Sequence, residues 1–250
     1  MGISAVVIAL NEAENLPLTL PPLLRVAQEV LVVNTGSTDQ TAAIARSLGA
    51  RVIETPWLGY SATKNWANTQ AQYDWILSID ADEVLSPELE ASILQWSPQD
   101  KTVFSLDRLN YYCGQAIHHS GWYPDWKVRL FDRRSIQWEG NFVHEELHIP
   151  DSYQRIKITG KLHHYSYQTS EDHWERIERY AHLSAQKLLA KGKTNLTFKR
   201  IFSPPARFLR TLILKRSFLD GKAGWTIAVR NAYLVRRKYQ ILAGLLKESS

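Results

Sequence analysis

Four short apolar runs recur through residues 3–80, and each breaks off into polar side chains. They are ISAVVIAL (3–10), EVLVVN (29–34), RVIET (51–55) and WILSID (75–80). Their length and β-branched content mark them as buried strands. Helical patterns separate them. The first, 13–27, is interrupted by prolines. The second, 38–48, is opened by Ser37 and Gln40 at capping-box spacing and closed by Gly49. The third, 60–72, has Ala62, Trp66, Ala67 and Ala71 on one face. Strands joined by crossover helices form a parallel sheet covered on both faces, so the order predicts an α/β fold. Ligands bind such sheets beyond the carboxyl ends of the strands. Those ends carry Asn11-Glu12, Asn34-Thr35-Gly36-Ser37, Glu54-Thr55 and Asp80-Ala81-Asp82, which are expected to converge on one cleft.

The fourth run ends in three carboxylates, Asp80, Asp82 and Glu83. Like charges a few ångströms apart repel, so either water solvates them at a turn or a cation holds them. In isolation, Asp-x-Asp ahead of a helix opening at Pro87 reads as an acidic turn. Its place after a buried fourth strand, beside the other polar ends, favours the cation. On an extended segment Asp80 and Asp82 share a face and Ala81 points away. Oxygen ligands of this kind suit Mg²⁺ or Mn²⁺, which keep waters and substrate phosphates in their remaining positions. Glu83, on the alternate face, reads as structural or as a supporting partner.

From 103 to 165 the chain becomes short strands and loops crowded with aromatic residues and histidines, and from about 171 it turns helical and basic. Residues 1–186 carry a net −8 and residues 187–250 a net +13. A basic tail on an acidic body suggests an anionic surface as partner. In RFLRTLILKR, Phe208 and Leu212 against Lys215 and Arg216 are expected to separate apolar and basic faces, and AVRNAYLVRRKY repeats the character. Such helices lie in the headgroup plane of anionic membranes. The competing accounts are a solvated basic face, or a nucleic-acid-binding protein with steeply salt-dependent binding. The latter leaves the Asp80–Asp82 cleft unexplained, and nucleic acid is not expected as a partner. A single cysteine, Cys113, excludes an internal disulfide and a cysteine-based zinc site. No leader and no bilayer-spanning apolar run is visible, so the expected setting is cytoplasmic, peripheral on the inner face of the membrane.

The runs IALNEAENL, VVNTGSTDQTAAIA, WILSIDADEVL, GWYPDWKVRLFDR, VHEEL, LHHYSY and SFLDGKAGW, in this order, resemble the inverting family 2 glycosyltransferases. The resemblance is closest to the branch containing lipopolysaccharide-core β-1,4-glucosyltransferases and covers nearly the whole chain. It implies the GT-A fold, a Rossmann-like mostly parallel sheet flanked by helices, over 1–170. That domain divides into a nucleotide-sugar half (1–102) and an acceptor half (103–170), and a basic helical extension follows over 171–250. It also implies transfer of a sugar, glucose in that branch, from a nucleotide diphosphate sugar such as UDP-glucose. The acceptor would be a saccharide or lipid-linked glycan of the cell envelope, and a divalent metal, Mn²⁺ or Mg²⁺, would bridge the diphosphate.

Carried onto this chain, the resemblance places Ala9, Asn11, Glu12, Asn34, Ser37, Lys64, Asp80 and Ala81 around the donor, and makes Asp82 the metal ligand. The family's Asp at the end of the second strand is here Asn34, which can donate as well as accept. His164 in LHHYSY is a candidate further metal ligand, alternating with His163. Lys127 and Arg129 alternate with Val128 and Leu130, a pattern that lets both face the cleft and bind phosphates. Trp122, Tyr123 and Trp126 suggest an apolar platform for the acceptor's sugar ring, with core packing as the alternative. Inversion needs a base for the acceptor hydroxyl. Glu145, Glu146, Asp125 and Glu139 are the candidates, and Glu145 matches the family's His-Glu element. Two other enzyme classes fit less well. A metal-dependent nucleotidyltransferase needs a Gly-rich basic loop after the first strand, where this chain has Asn11-Glu12-Ala13-Glu14, and a dinucleotide oxidoreductase needs a G-x-G-x-x-G that is missing there.

Overall fold

The computed structural model describes residues 2–140, 146–192 and 197–248. Strands and helices alternate first as β1 (Ile3–Ala9), α1 (Leu16–Val26), β2 (Glu29–Asn34), α2 (Thr41–Ser47), β3 (Arg51–Glu54), α3 (Tyr60–Gln70) and β4 (Trp75–Asp80). There follow β5 (Glu83–Leu85), α4 (Pro87–Leu94), β6 (Thr102–Tyr112), β7 (Gln115–Ala116), β8 (Trp126–Asp132), β9 (Gln137–Glu139), β10 (Glu146–His148) and β11 (Gln154–Tyr167). The last helices are α5 (Ser170–Ala190), α6 (Thr197–Leu209) and α7 (Gly221–Glu248). The chain forms two compact units, one of residues 1–108 and 125–164, the other of 109–124 and 165–250. Their boundaries fall within β6 and β11.

The main sheet runs β3-β2-β1-β4-β8-β6-β11-β5. β3, β2, β1 and β4 are parallel, with Ala9 opposite Asn34, Asn34 opposite Glu54 and Ile8 opposite Asp80, so their carboxyl ends reach one edge together. β8 is antiparallel to both β4 and β6, which makes the sheet mixed. Alternation along β1 sends Ala5, Val7 and Ala9 to one face, packed with Leu16, Leu20 and Leu23 of α1 and Leu89 of α4. Val6 goes to the other face, with Ala67 of α3 and Phe131 and Trp138.

Three local expectations are corrected. α1 runs through Pro21 and Pro22 instead of breaking there. Burial of Leu16, Leu20, Pro22, Leu23 and Val26 outweighs the two amide hydrogen bonds that the prolines remove. The capping box at Ser37 does not form: α2 starts at Thr41 behind Gln40, whose side chain makes no cap, and Ser37 is used elsewhere. The aromatic-rich region contains two long strands, β6 and β11, because their aromatic and histidine side chains alternate across the sheet.

In the second unit, α5 opens with a true capping box between Thr169 and Asp172. A small core joins Tyr112, Ile117, Ala223 and Ile227. The buried carboxylate of Asp220 accepts from the backbone N–H groups of His118 and His119 and from the Ser120 hydroxyl, which ties the loop after β7 to the start of α7. Between α6 and α7 the chain passes through a π-helical turn (Arg210–Leu214) and a 3₁₀ turn (Ser217–Asp220). Gly224 is required at this junction, since a Cβ there would lie 1.7 Å from the Ser217 carbonyl oxygen. In the segment expected to separate apolar and basic faces, Phe208 and Leu212 are half-buried and Lys215 and Arg216 exposed, and further apolar side chains are exposed beside the basic ones. Phe208 packs on Trp225, while Leu209, Ile213 and Leu214 are exposed among Arg210, Lys215 and Arg216. Among the described residues no helix is long and apolar enough to cross a membrane.

Candidate active site

The loops that follow β1 and β2 are stitched together at the carboxyl edge of the sheet. The Asn34 Oδ1 accepts from the Ser37 N–H at 3.0 Å, and the Ser37 hydroxyl oxygen accepts from the Asn11 N–H at 2.9 Å. Asn11 Oδ1 in turn accepts from the Thr38 N–H at 2.8 Å, and Thr41 Oγ1 from the Glu12 N–H at 2.8 Å. Asn11 has φ 56°, a conformation that asparagine tolerates better than most residues. The carbonyl of Ala9 accepts from the Thr35 N–H at 3.0 Å. Ala9, Asn11, Glu12, Asn34 and Ser37 therefore form one rigid rim.

At the end of β4 the extended segment expected through Asp80–Asp82 is replaced by a turn at Ala81-Asp82, which leads directly into β5. The buried Thr19 hydroxyl of α1 donates to the Ala81 carbonyl at 2.6 Å and holds that turn. The turn gives the two aspartates different partners. Asp80 accepts from Lys64 Nζ at 3.3 Å and from Arg129 Nη2 at 2.6 Å. Glu83, completely buried, accepts from Arg129, from Arg108 at 3.2 Å and from the Asp80 N–H at 3.0 Å. Arg108 also pairs with Asp125 at 2.7 Å. Burial alone would push the Asp80 carboxyl up, but Arg129 and Lys64 hold it well below the usual carboxylate range. Burial works against the Arg129 guanidinium too, and Asp80 and Glu83 keep it firmly protonated. Asp125 is likewise held down, against its burial, by Arg108 and Lys127.

Asp82 faces β11 instead. His164 is paired opposite Glu83, so its Nε2 comes to 3.3 Å from Asp82 Oδ2. The register is fixed nearby. Ser86 Oγ accepts from the N–H groups of Lys161 and Leu89, and a Cβ on Gly160 would lie 2.3 Å from the Leu89 nitrogen. Among the described residues no three His, Cys, Asp or Glu side chains form a metal-holding group. The Asp82–His164 pair nonetheless fits a cation that takes its other ligands from a substrate. Two donors at about 2.1 Å from one octahedral ion, in neighbouring positions, lie about 3 Å apart.

A cavity of about 680 Å³ opens in the first unit, with Lys64, Asp80, Trp126, Lys127, Arg129 and Trp138 among its lining residues. Lys64 Nζ sits 4.3 Å from the centroid of the Trp138 ring. Lys127 pairs with Asp125 at 3.1 Å, and Trp126 is 36% exposed. The structure thus brings Lys64, Asp80, Trp126, Lys127 and Arg129 to one cavity, although Arg129 is committed to two carboxylates. Trp122 and Tyr123 belong to the second unit, where Trp122 stacks on Tyr167 at 5.6 Å. Glu145 lies outside the described residues. Of its alternatives, Glu146 lines the cavity and Glu139 approaches His148 at 3.5 Å. Sequence reasoning missed Arg108 and Trp138. A lone arginine in the apolar strand SLDRLNYY was the available signal for the first.

A family model described as glycosyl transferase family 2 matches residues 4–154. Over 240 residues the chain is 29% identical to the lipopolysaccharide core biosynthesis glycosyltransferase LpsC of Rhizobium meliloti, covering 93% of this chain and 88% of that protein. Over 243 residues it is 28% identical to an uncharacterised glycosyltransferase of Rickettsia prowazekii, covering 92% and 83%. Among solved structures, S. aureus TarS is similar with a TM-score of 0.45 at 15% identity, covering 96% and 92%.

Proposed function

Because the chain belongs to glycosyl transferase family 2, we propose that it moves glucose from a nucleoside diphosphate sugar, UDP-glucose, to a lipid-linked saccharide of the cell envelope, with inversion at the anomeric carbon. The observation that carries this reading is the division of partners after β4. Asp80 is held charged between Lys64 and Arg129, while Asp82 stands 3.3 Å from His164. Asp82 and His164 would hold Mn²⁺ or Mg²⁺, which when bound offsets negative charge on the diphosphate leaving group. The other tasks fall to side chains. Asp80, kept ionised, accepts from donor hydroxyls. Lys64 and Lys127 approach the phosphates, while Arg129 fixes Asp80 and Glu83. Ala9, Asn11, Glu12 and Ser37 frame the nucleoside. The Asn34 oxygen is taken by the Ser37 N–H, so its amide hydrogens serve as donors to the base. Glu145 takes the acceptor's hydroxyl proton. Asp125 is a poor rival for that role, because Arg108 and Lys127 weaken it as a base.

An anionic membrane surface completes the reading and places the enzyme on the inner face of the cell membrane. Phe198, Ile201, Phe202, Ile213 and Leu214 are exposed among basic side chains in the second unit. The role that LpsC's name gives it, in lipopolysaccharide core synthesis, supports an envelope acceptor. The paired substitution Ile213→Asp/Leu214→Asp should release the protein from anionic vesicles, and undiminished co-sedimentation would refute the membrane assignment. The reaction itself is tested by incubation with UDP-glucose, Mn²⁺ and deacylated lipopolysaccharide core, followed by NMR. UDP and a β-glucoside are expected. An α-glucoside, or glucose 1-phosphate with a nucleotidylated product, would contradict the proposal.

A further inference from the structure

The cavity in the first unit is lined by six cations, Lys64, Arg108, Lys127, Arg129, Arg155 and Lys157, against two carboxylates, Asp80 and Glu146. Four of those cations face carboxylates at close range: Lys64 and Arg129 on Asp80, Arg108 and Lys127 on Asp125. Arg155 and Lys157 do not. Both are exposed on β11, two residues apart and so on one face, and among the described residues neither has a carboxylate within 4 Å. Lys157 Nζ lies 4.4 Å from the centroid of the Trp126 ring. Leu147 and Ile149 add apolar wall. This end of the cavity therefore combines an aromatic face with two cations that no described carboxylate pairs, one of them a guanidinium shaped for two-point contact with a phosphate or carboxylate.

We propose that Arg155 and Lys157 bind an anionic group, phosphate or carboxylate, carried by the acceptor saccharide, whose ring lies against Trp126. The proposal rests on the glycosyl-transfer reading above and narrows the acceptor from any saccharide to a negatively charged one. Position along β11 assigns the charge to the acceptor and not to the donor: Lys157 precedes His164, the cation ligand beside the diphosphate, by seven residues on the same strand, roughly 23 Å at strand rise. The nucleoside rim stands over β1 and β2, and β8 and β11 lie on the opposite side of β4, beyond Asp80. Two cations in one cavity, with no carboxylate among the described residues within 4 Å of either, also repel each other, and an anion arriving beside them relieves that repulsion.

The test is calorimetric titration of glucose 6-phosphate and of methyl β-glucoside into protein already saturated with UDP and Mn²⁺, so that the donor's phosphate positions are filled. In the wild type, glucose 6-phosphate should bind about tenfold more tightly than the neutral glycoside. In the double variant Arg155→Ala/Lys157→Ala, both positions being exposed, that preference should vanish while UDP-glucose affinity stays within about twofold. Equal binding of the two sugars by the wild type would overturn the proposal. So would a variant that keeps the preference but loses affinity for UDP-glucose, which would hand the pair to the donor. Failure of UDP to bind the wild type with Mn²⁺ is a different result, and it would bring down the transferase reading itself.

Discussion

Arg129 in the first unit and Arg230 in the second are both almost completely buried, and they are stabilised in opposite ways. Arg129 donates to the carboxylates of Asp80 and Glu83. Arg230 donates to neutral oxygens: the Tyr112 hydroxyl at 2.6 Å, the Ser170 carbonyl at 3.0 Å and the Ser170 hydroxyl. The Trp174 ring lies against its guanidinium at 4.7 Å. Charge is matched with charge where a carboxylate must be held ionised at a cavity. Where the task is only to tie α7 to α5 and β6, dipoles and an aromatic face suffice. The second arrangement has a cost for its neighbour. His173 is buried with an Nδ1 that finds no hydrogen-bond partner among the described residues. Burial first, then the positive charges of Arg230 and Arg176, push its pKa down to about 4.

The contrast can be broken by substitution. Arg129→Met leaves Asp80 with Lys64 and Glu83 with Arg108 as their remaining cationic partners, and removing one partner of a buried ionic cluster costs about 3–5 kcal/mol. Urea titration should show that loss. A loss below about 1 kcal/mol would mean that the cluster is not coupled to the fold. The next effect is pH dependence. His173 is neutral in the folded state and takes up a proton on unfolding once the pH is below its ordinary 6.5. Its contribution therefore erodes stability as pH falls from 6.5 to about 4 and levels off below that, by roughly 3 kcal/mol at most. His173→Gln should flatten this limb of the stability profile, and an unchanged slope would remove His173 as its source. The smallest effect is expected from Arg230→Met, which leaves only neutral oxygens unpaired at about 1–3 kcal/mol. It should also shorten the His173 acid limb, because one of the cations that lowers the histidine's pKa is gone. If Arg230→Met costs as much as Arg129→Met, the distinction between the two arginines fails.

These elements also show what could be read from sequence. The parallel order of β1 to β4 was legible because each strand is a short β-branched run with polar residues at its carboxyl end. The position of Asp80 and Asp82 at that edge followed. Their divergence did not, because it depends on β5 pairing with β11, whose His164 is remote in sequence. Alternation along β8 placed Lys127 and Arg129 at the cavity, yet could not reveal that Glu83 and Asp80 claim Arg129. Arg155 and Lys157 carried no local signal either. Their interest comes from Trp126, which meets Lys157 only in the folded sheet. The prolines of α1 misled local reasoning because propensity cannot weigh the burial that sustains that helix.

The central claim is that Asp82 and His164 form a cation site completed by the donor diphosphate. The direct measurement is thermal unfolding of the wild type and of Asp82→Asn with UDP-glucose, each with and without Mn²⁺. UDP-glucose should raise the wild-type Tm only when Mn²⁺ is present. Asp82→Asn should lose that rise while unfolding, without ligand, at the wild-type temperature. Full metal-dependent stabilisation of Asp82→Asn, or none in the wild type, would contradict that claim.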